Sequence, residues 1–168
     1  MDIRFKNSYI MTKEVVREFK FKMLHPVPWA IASAVFALLF AGLYVYAHES
    51  VHLMCAVLLA ALAVMFIVVV LADVNRTWKQ MCEQANSKTI EVEITFTDEK
   101  AVNASCGMEG RIELDYADIR RVVKTKHLIV LVTRARLGHM LRRDSFTVGT
   151  EPEFLEFIKE RRSLAKLK

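Results

Sequence analysis

The sequence predicts a membrane α+β protein: a two-helix transmembrane hairpin joined to a small antiparallel β-sheet domain that a C-terminal helix closes. Three observations predict it. Residues 27–47 and 51–72 contain no Asp, Glu, Lys or Arg and are separated only by His48, Glu49 and Ser50. From Ile90 onward the pattern changes to short alternating runs with turn residues between them. Near the C-terminus, Thr150-Glu151-Pro152-Glu153 opens an apolar stripe with helical spacing.

The hairpin follows from length and solvent. At about 1.5 Å per helical residue, 21 residues span roughly 31 Å, close to a hydrocarbon core of about 30 Å. In that medium each backbone N–H and C=O must be bonded within its own segment, so each run has to be a helix. A three-residue link then forces an antiparallel pair. Arg4, Lys6, Lys13, Arg17, Lys20 and Lys22 precede the hairpin, Arg76 and Lys79 follow it, and the link has no Lys or Arg. This bias predicts a multi-pass protein of the inner membrane with both termini cytoplasmic. Trp29, Tyr44 and Tyr46 suit the interfacial belts. The first apolar run is too long for a signal peptide and leads into a second span, so cleavage is not expected.

Before the hairpin, residues 2–10 alternate, with Ile3, Phe5 and Tyr9 against Asp2, Arg4, Lys6 and Ser8, as in a half-buried strand. Thr12 then caps a helix running to about Leu24, whose stripe is Val15, Val16, Phe19 and Met23. That stripe suits either an anionic membrane surface or the soluble domain. The spans carry small residues four apart, Ser33, Ala37 and Ala41 in the first and Ala56 and Ala60 in the second. Such faces let the hairpin pack on itself, and they could also bring two copies together as a homo-oligomer. No ionisable residue of the Asp, Glu, Lys or Arg type lies mid-span, which excludes transporter and channel readings.

After the hairpin, Ile90, Val92, Ile94 and Phe96 alternate with Glu91, Glu93, Thr95 and Thr97, and Asp98-Glu99-Lys100 makes a turn. Residues 101–106 form a return strand, and Ile112, Leu114 and Tyr116 alternate with Arg111, Glu113 and Asp115. Residues 127–133 and 137–142 supply further strands. In the last element Thr150 and Glu153 have capping-box spacing, Pro152 sits in the first turn, and Phe154, Leu155, Phe157 and Ile158 make the apolar face. The expected organisation is residues 1–26 as a cytoplasmic strand and amphipathic helix, 27–72 as the hairpin (27–47, 51–72), 73–89 as a linker or helix extension, and 90–168 as the cytoplasmic β-rich domain.

Charge in that domain is segregated. Residues 89–119 hold eight acids against Lys100 and Arg111, whereas residues 120–143 hold eight bases and no acid. The bases are Arg120, Arg121, Lys124, Lys126, Arg134, Arg136, Arg142 and Arg143. Either they contact anionic lipid or a protein partner, or they pair with the acidic strands across a solvent face. A nucleic-acid partner is not expected, because neither an RNA-binding aromatic motif nor a recognition helix accompanies them.

His48-Glu49-Ser50-Val51-His52 satisfies H-E-x-x-H, the pattern that places two zinc-binding His on one helical face with Glu as general base. Here the match straddles the hairpin tip, where the chain must reverse, so a polar turn is the expectation and a zinc hydrolase a remote alternative. Cys55, Cys82 and Cys106 have neither disulfide-framework nor zinc spacing. With no G-x-S-x-G, P-loop or dinucleotide fingerprint, no catalytic residue, metal or cofactor is expected.

Several stretches resemble the YcxB-like family of bacterial membrane proteins: Phe5…Tyr9…Thr12, then Ile94-Thr95-Phe96-Thr97-Asp98-Glu99. The others are Tyr116-Ala117-Asp118-Ile119 before a basic Val-rich strand, Arg142-Arg143…Phe146, and Glu153-Phe154…Phe157. Met140-Leu141 replaces the aromatic-Pro that often precedes the basic pair. The resemblance covers nearly the whole chain. It implies a C-terminal part similar to pleckstrin-homology (PH) domains, a bent antiparallel sheet capped by a helix, and no established activity. The expectation is therefore a non-enzymatic binding or scaffold module, in contact with membrane lipids, that engages a protein or anionic-lipid partner. A toxin-immunity or stress-response protein acting through its hairpin is the alternative. The N-terminal strand is expected to join the C-terminal sheet.

Overall fold

Alternation at the start of the chain produces strand β1 (Phe5–Met11), with Phe5, Asn7, Tyr9 and Met11 buried on one face. The computed structural model, which describes residues 2–105, 111–135 and 137–165, pairs β1 antiparallel with β2 (Ile90–Phe96) over its full length. The register runs from Phe5 opposite Phe96 to Met11 opposite Ile90. Strands β3 (Lys100–Ser105) and β4 (Arg111–Asp115) extend the same sheet, and β8 (Phe146–Val148) lies on the other side of β1, giving the order β4-β3-β2-β1-β8. A 3-10 turn at Tyr116–Asp118 leads into a second sheet of β5 (Ile119–Lys124), β6 (Leu128–Thr133) and β7 (Gly138–Arg142). Helix α4 (Glu151–Ala165) follows. The class is α+β, with antiparallel sheets throughout.

Aromatic packing makes the core of this β unit. Phe154 of α4 is fully buried and its ring lies 4.7 Å from that of Phe96, 5.2 Å from Phe146 and 5.6 Å from Phe5. Burying each such ring contributes about 1.5–3 kcal/mol. Tyr116 lies against Phe157 and donates its hydroxyl proton to the Thr97 carbonyl at 2.6 Å. Burial pushes the proton affinity of this phenol, and that of Tyr9, well above the usual value. The predicted capping box is present: the Glu153 carboxylate accepts from the Thr150 N–H at 3.1 Å and from its hydroxyl at 2.7 Å. Gly149 precedes that cap with φ of 77°, and a Cβ there would strike the Phe5 ring.

Two side chains of β1 tie the sheets together. Asn7, completely buried, donates from Nδ2 to the Arg142 carbonyl at 2.8 Å and accepts from the Arg142 N–H at 3.2 Å. The Tyr9 hydroxyl donates to the Met140 carbonyl at 2.8 Å. Leaving such buried groups unpaired costs about 1–3 kcal/mol each.

Every residue of β6 is buried. One face carries Val130 and, on β7, Gly138, where the Phe19 ring of helix α1 (Lys13–Leu24) fills the space a Cβ would need. Leu131 and Ile129 occupy the opposite face with His139 and Leu141. A strand covered on both sides reads as a continuous apolar run, as it does here. Val15 and Val16 of α1 are also buried, and Glu18 accepts the His127 N–H at 3.0 Å. The stripe of α1 thus packs, through Phe19, on the β unit.

The chain divides into two units, Met1–Phe19 with Lys79–Lys168, and Lys20–Trp78, the boundaries falling within α1 and α3. The second unit is helical. Helix α2 (Pro26–Ala47) begins after His25, with Pro in its first turn, and ends at His48; both histidines are left-handed. Helix α3 (Ser50–Gln84) continues well past residue 72, so the linker-or-extension segment is helical to Gln84. Arg76, Lys79 and Glu83 are good helix formers that lie outside the apolar run. Both helices are long and apolar enough to cross a membrane. Ser33 and Ala37 of α2 and Ala56 of α3 are buried, whereas Ala60 is exposed and Ala41 half-buried. Lys20 Nζ meets Asp73 Oδ2 at 2.7 Å.

Burial holds the His139 imidazole below its ordinary proton affinity. The unfolded chain therefore takes up this proton first as pH falls below about 6.5, and the stability gained by keeping His139 neutral is lost on further acidification. The melting temperature of the β unit should fall between pH 7.5 and 5.5, and His139→Leu should flatten that dependence. An unchanged slope would remove His139 as its cause.

Candidate interaction surface

The basic residues of 120–143 lie on and beside the second sheet, while the acids of 89–119 lie mostly on the first. Among the described residues, the acidic strands find their counter-charges elsewhere. Glu93 pairs with Lys6 of β1 at 2.9 Å and Glu113 with Lys100 at 2.7 Å. Asp98 takes Arg4 at 3.2 Å and also Arg161 of α4. Among the described residues no ion pair joins the acidic strands to the basic stretch, and the topology puts the two in different sheets.

The bases separate into two groups toward opposite ends of β5, with Arg121 and Lys124 roughly 10 Å apart at about 3.3 Å per residue. At the first end a register shift between Ile119 and Arg121 leaves Arg120 and Arg121 both exposed. Arg134 joins them through its backbone N–H, which donates to the Asp118 carbonyl at 2.9 Å. Arg162 of α4 donates from Nε to the Ile119 carbonyl at 3.1 Å and from a terminal nitrogen to that of Arg120, so it pins the strand at its bulge.

At the other end lie Lys124, Lys126, Arg142 and Arg143. Glu151, at the start of α4, accepts from Arg143 at 2.8 Å and approaches Lys124 at 3.8 Å. Arg143 also donates to the Thr125 and Lys126 carbonyls at 3.3 and 3.4 Å. Glu18 stands nearby: burial pushes its carboxyl up, but hydrogen bonds from Thr125 and the His127 N–H outweigh that and hold it below the usual range. Arg120, Arg121, Lys126, Arg134 and Arg142 make no side-chain ion pair among the described residues, and each is exposed. Arg136 lies outside the described residues. Glu151 and Arg162 were not anticipated as neighbours of this surface. The only sequence signal for them was the charge at the two ends of α4, and their placement needs the tertiary fold.

The H-E-x-x-H pattern is split across the turn between α2 and α3. His48 closes α2 in a left-handed conformation, while His52 lies in the first turn of α3, 3.7 Å from the Glu49 carboxylate. His48 lies just outside α2 and His52 within α3, so the two histidines do not share the single helical face that the motif requires. Among the described residues no three His, Cys, Asp or Glu side chains come together to hold a metal ion.

Residues 106–158 match the family model described as YcxB-like protein. The match begins before β4 and ends within α4, a narrower extent than the near-whole-chain resemblance of the motifs, and it includes all eight bases. No curated protein and no solved structure matches the chain.

Glu151 is mostly buried and serves two cations at a helix start, so Glu151→Gln should destabilise the β unit by about 1 kcal/mol. Thermal melting at low salt should show the loss, and 1 M salt should reduce it.

Proposed function

We propose that this protein is a non-enzymatic binding module held on the inner membrane by its helical hairpin, and that its second sheet receives an anionic partner. Membrane anchorage is supported by the helices themselves. Trp29, Ile31, Leu38, Val45, Leu58 and Val64 are all more than half exposed, an apolar surface that water would not tolerate. The pairing of β1 with β2 supports two crossings: the segment between them leaves one folded unit and returns to it. The Lys and Arg bias supports a cytoplasmic position for that unit. A four-strand meander, a three-strand meander and a closing helix agree with the PH-like arrangement that the resemblance implies.

The groups with shifted proton affinity favour a non-enzymatic role. Tyr9 and Tyr116 donate to backbone carbonyls, His139 lies in the core, and Glu18 and Arg143 are engaged in hydrogen bonds within the β unit. The observation that carries the proposal is the set of five exposed bases without acid partners. Solvated cations left over after internal pairing are suited to attract and orient an anionic partner.

A photo-crosslinking residue in place of Val123 in intact cells tests this. An adduct should form, should vanish in Arg120→Glu/Arg121→Glu/Arg134→Glu, and should persist when α2 and the apolar part of α3 are exchanged for an unrelated hairpin. An adduct indifferent to charge reversal but lost with the hairpin exchange would favour the toxin-immunity or stress-response alternative.

A further inference from the structure

The open edge of β5 lies between the two basic groups, and its backbone chemistry narrows the partner. Of the four sheet edges, β7 is already covered: the Asn7 amide and the Tyr9 hydroxyl bond to its Arg142 and Met140 backbone groups. Strand β8 has three residues. Strand β4 presents Glu113 and Asp115. Strand β5 has six residues, and no described strand pairs with its outer side.

The register tells which backbone groups point outward. Thr125 donates its N–H to the Leu128 carbonyl at 2.9 Å, so Thr125 and Leu128 are a hydrogen-bonded pair. Antiparallel ladders alternate, which makes Val123 with Val130 and Arg121 with Val132 the next bonded pairs. Val122 and Lys124 therefore direct both N–H and C=O away from β6. Farther along, the Arg120 carbonyl is taken by Arg162. A phosphate accepts from N–H groups, and a headgroup ammonium or hydroxyl can donate to a carbonyl, but neither repeats donor and acceptor along the edge. An extended polypeptide offers both at the two-residue repeat of the edge. Val122 and Val123, half-buried on opposite faces, give it apolar contact, and Arg120, Arg121, Lys124 and Lys126 select for acidic side chains.

We propose that β5 accepts an extended, acidic segment of a protein partner as a fourth antiparallel or parallel strand of the second sheet. This rests on the function proposed above and specifies the partner of that surface. Main-chain hydrogen bonds at Val122 and Lys124 hold the segment, and the flanking bases read its charge.

The test uses the full chain in nanodiscs of zwitterionic lipid and a fluorescent heptapeptide of alternating Glu and Val, followed by anisotropy. The peptide should bind, and Val122→Pro should weaken it at least tenfold. That proline removes an outward N–H and leaves the β6 ladder intact. An alternately N-methylated peptide, with the same charge, should lose at least tenfold against the unaltered protein, which keeps the result independent of how Val122→Pro folds. Equal binding of methylated and unmethylated peptide overturns strand addition while leaving an anionic-partner surface standing. Insensitivity to methylation together with displacement by vesicles rich in anionic lipid overturns it in favour of a membrane surface. Self-association that Val122→Pro abolishes would assign the edge to a second copy and also overturn it. Binding unaffected by Arg121→Glu/Lys124→Glu contradicts both proposals.

Discussion

Hydrogen bonding between a strand that precedes two long apolar helices and a strand that follows them is the constraint on which the rest of the molecule depends. The seven residues of β1 pair with all seven of β2, although 78 positions separate Met11 from its partner Ile90. Closing so long a loop costs conformational entropy, but the cost rises only slowly with length and the seven-pair ladder and its buried face offset it. The helical segment becomes an insertion in one β unit. Its two ends are then tied to the same sheet, which is a condition that a hairpin of two crossings satisfies and a single crossing does not.

The same strand organises the second sheet. The Asn7 side chain presents both a donor and an acceptor to Arg142, as a neighbouring backbone would, and Tyr9 adds a third bond to β7. With that edge covered and α1 packed over β6 through Phe19, β5 is left as the open side of the sheet. Where the acids and bases fall then follows from topology. Acidic β2 and β4 find Lys6 and Lys100 within their own sheet, and Arg4 and Arg161 neutralise Asp98 at its edge. The bases of β5 and its turns have chiefly Glu151 for counter-charge.

Much of this was legible in the amino-acid order wherever one periodicity held. The apolar runs, the alternation of β1 and β2, and the Thr150–Glu153 cap all appear where expected. Strand β8 was not legible, because three residues carry no period. Asn7 was ambiguous for a different reason: a polar residue at an apolar position of the alternation reads as a break until its partner on β7 is known. The continuous run of β6 pointed to burial without saying what covered the second face, since Phe19 reaches it from more than a hundred residues away in the chain. The basic stretch looked like one patch in sequence. The sheet divides it into two ends, and only the fold could say that the acidic strands lie in the other sheet.

The most direct measurement is a designed disulfide between β1 and β2 in the full chain. Ser8 donates its N–H to the Ser145 carbonyl at 3.0 Å, toward β8, so Ser8 and Glu93 form a non-hydrogen-bonded pair across β1 and β2. Cα atoms in such pairs lie about 4.5 Å apart, within disulfide reach. With Cys55, Cys82 and Cys106 changed to Ser, Ser8→Cys/Glu93→Cys should oxidise readily in membranes, and Ser8→Cys/Val102→Cys, which skips a strand, should not. Failure of the first pair to close, or equal closure of both, would contradict the insertion of the helices within a single β unit.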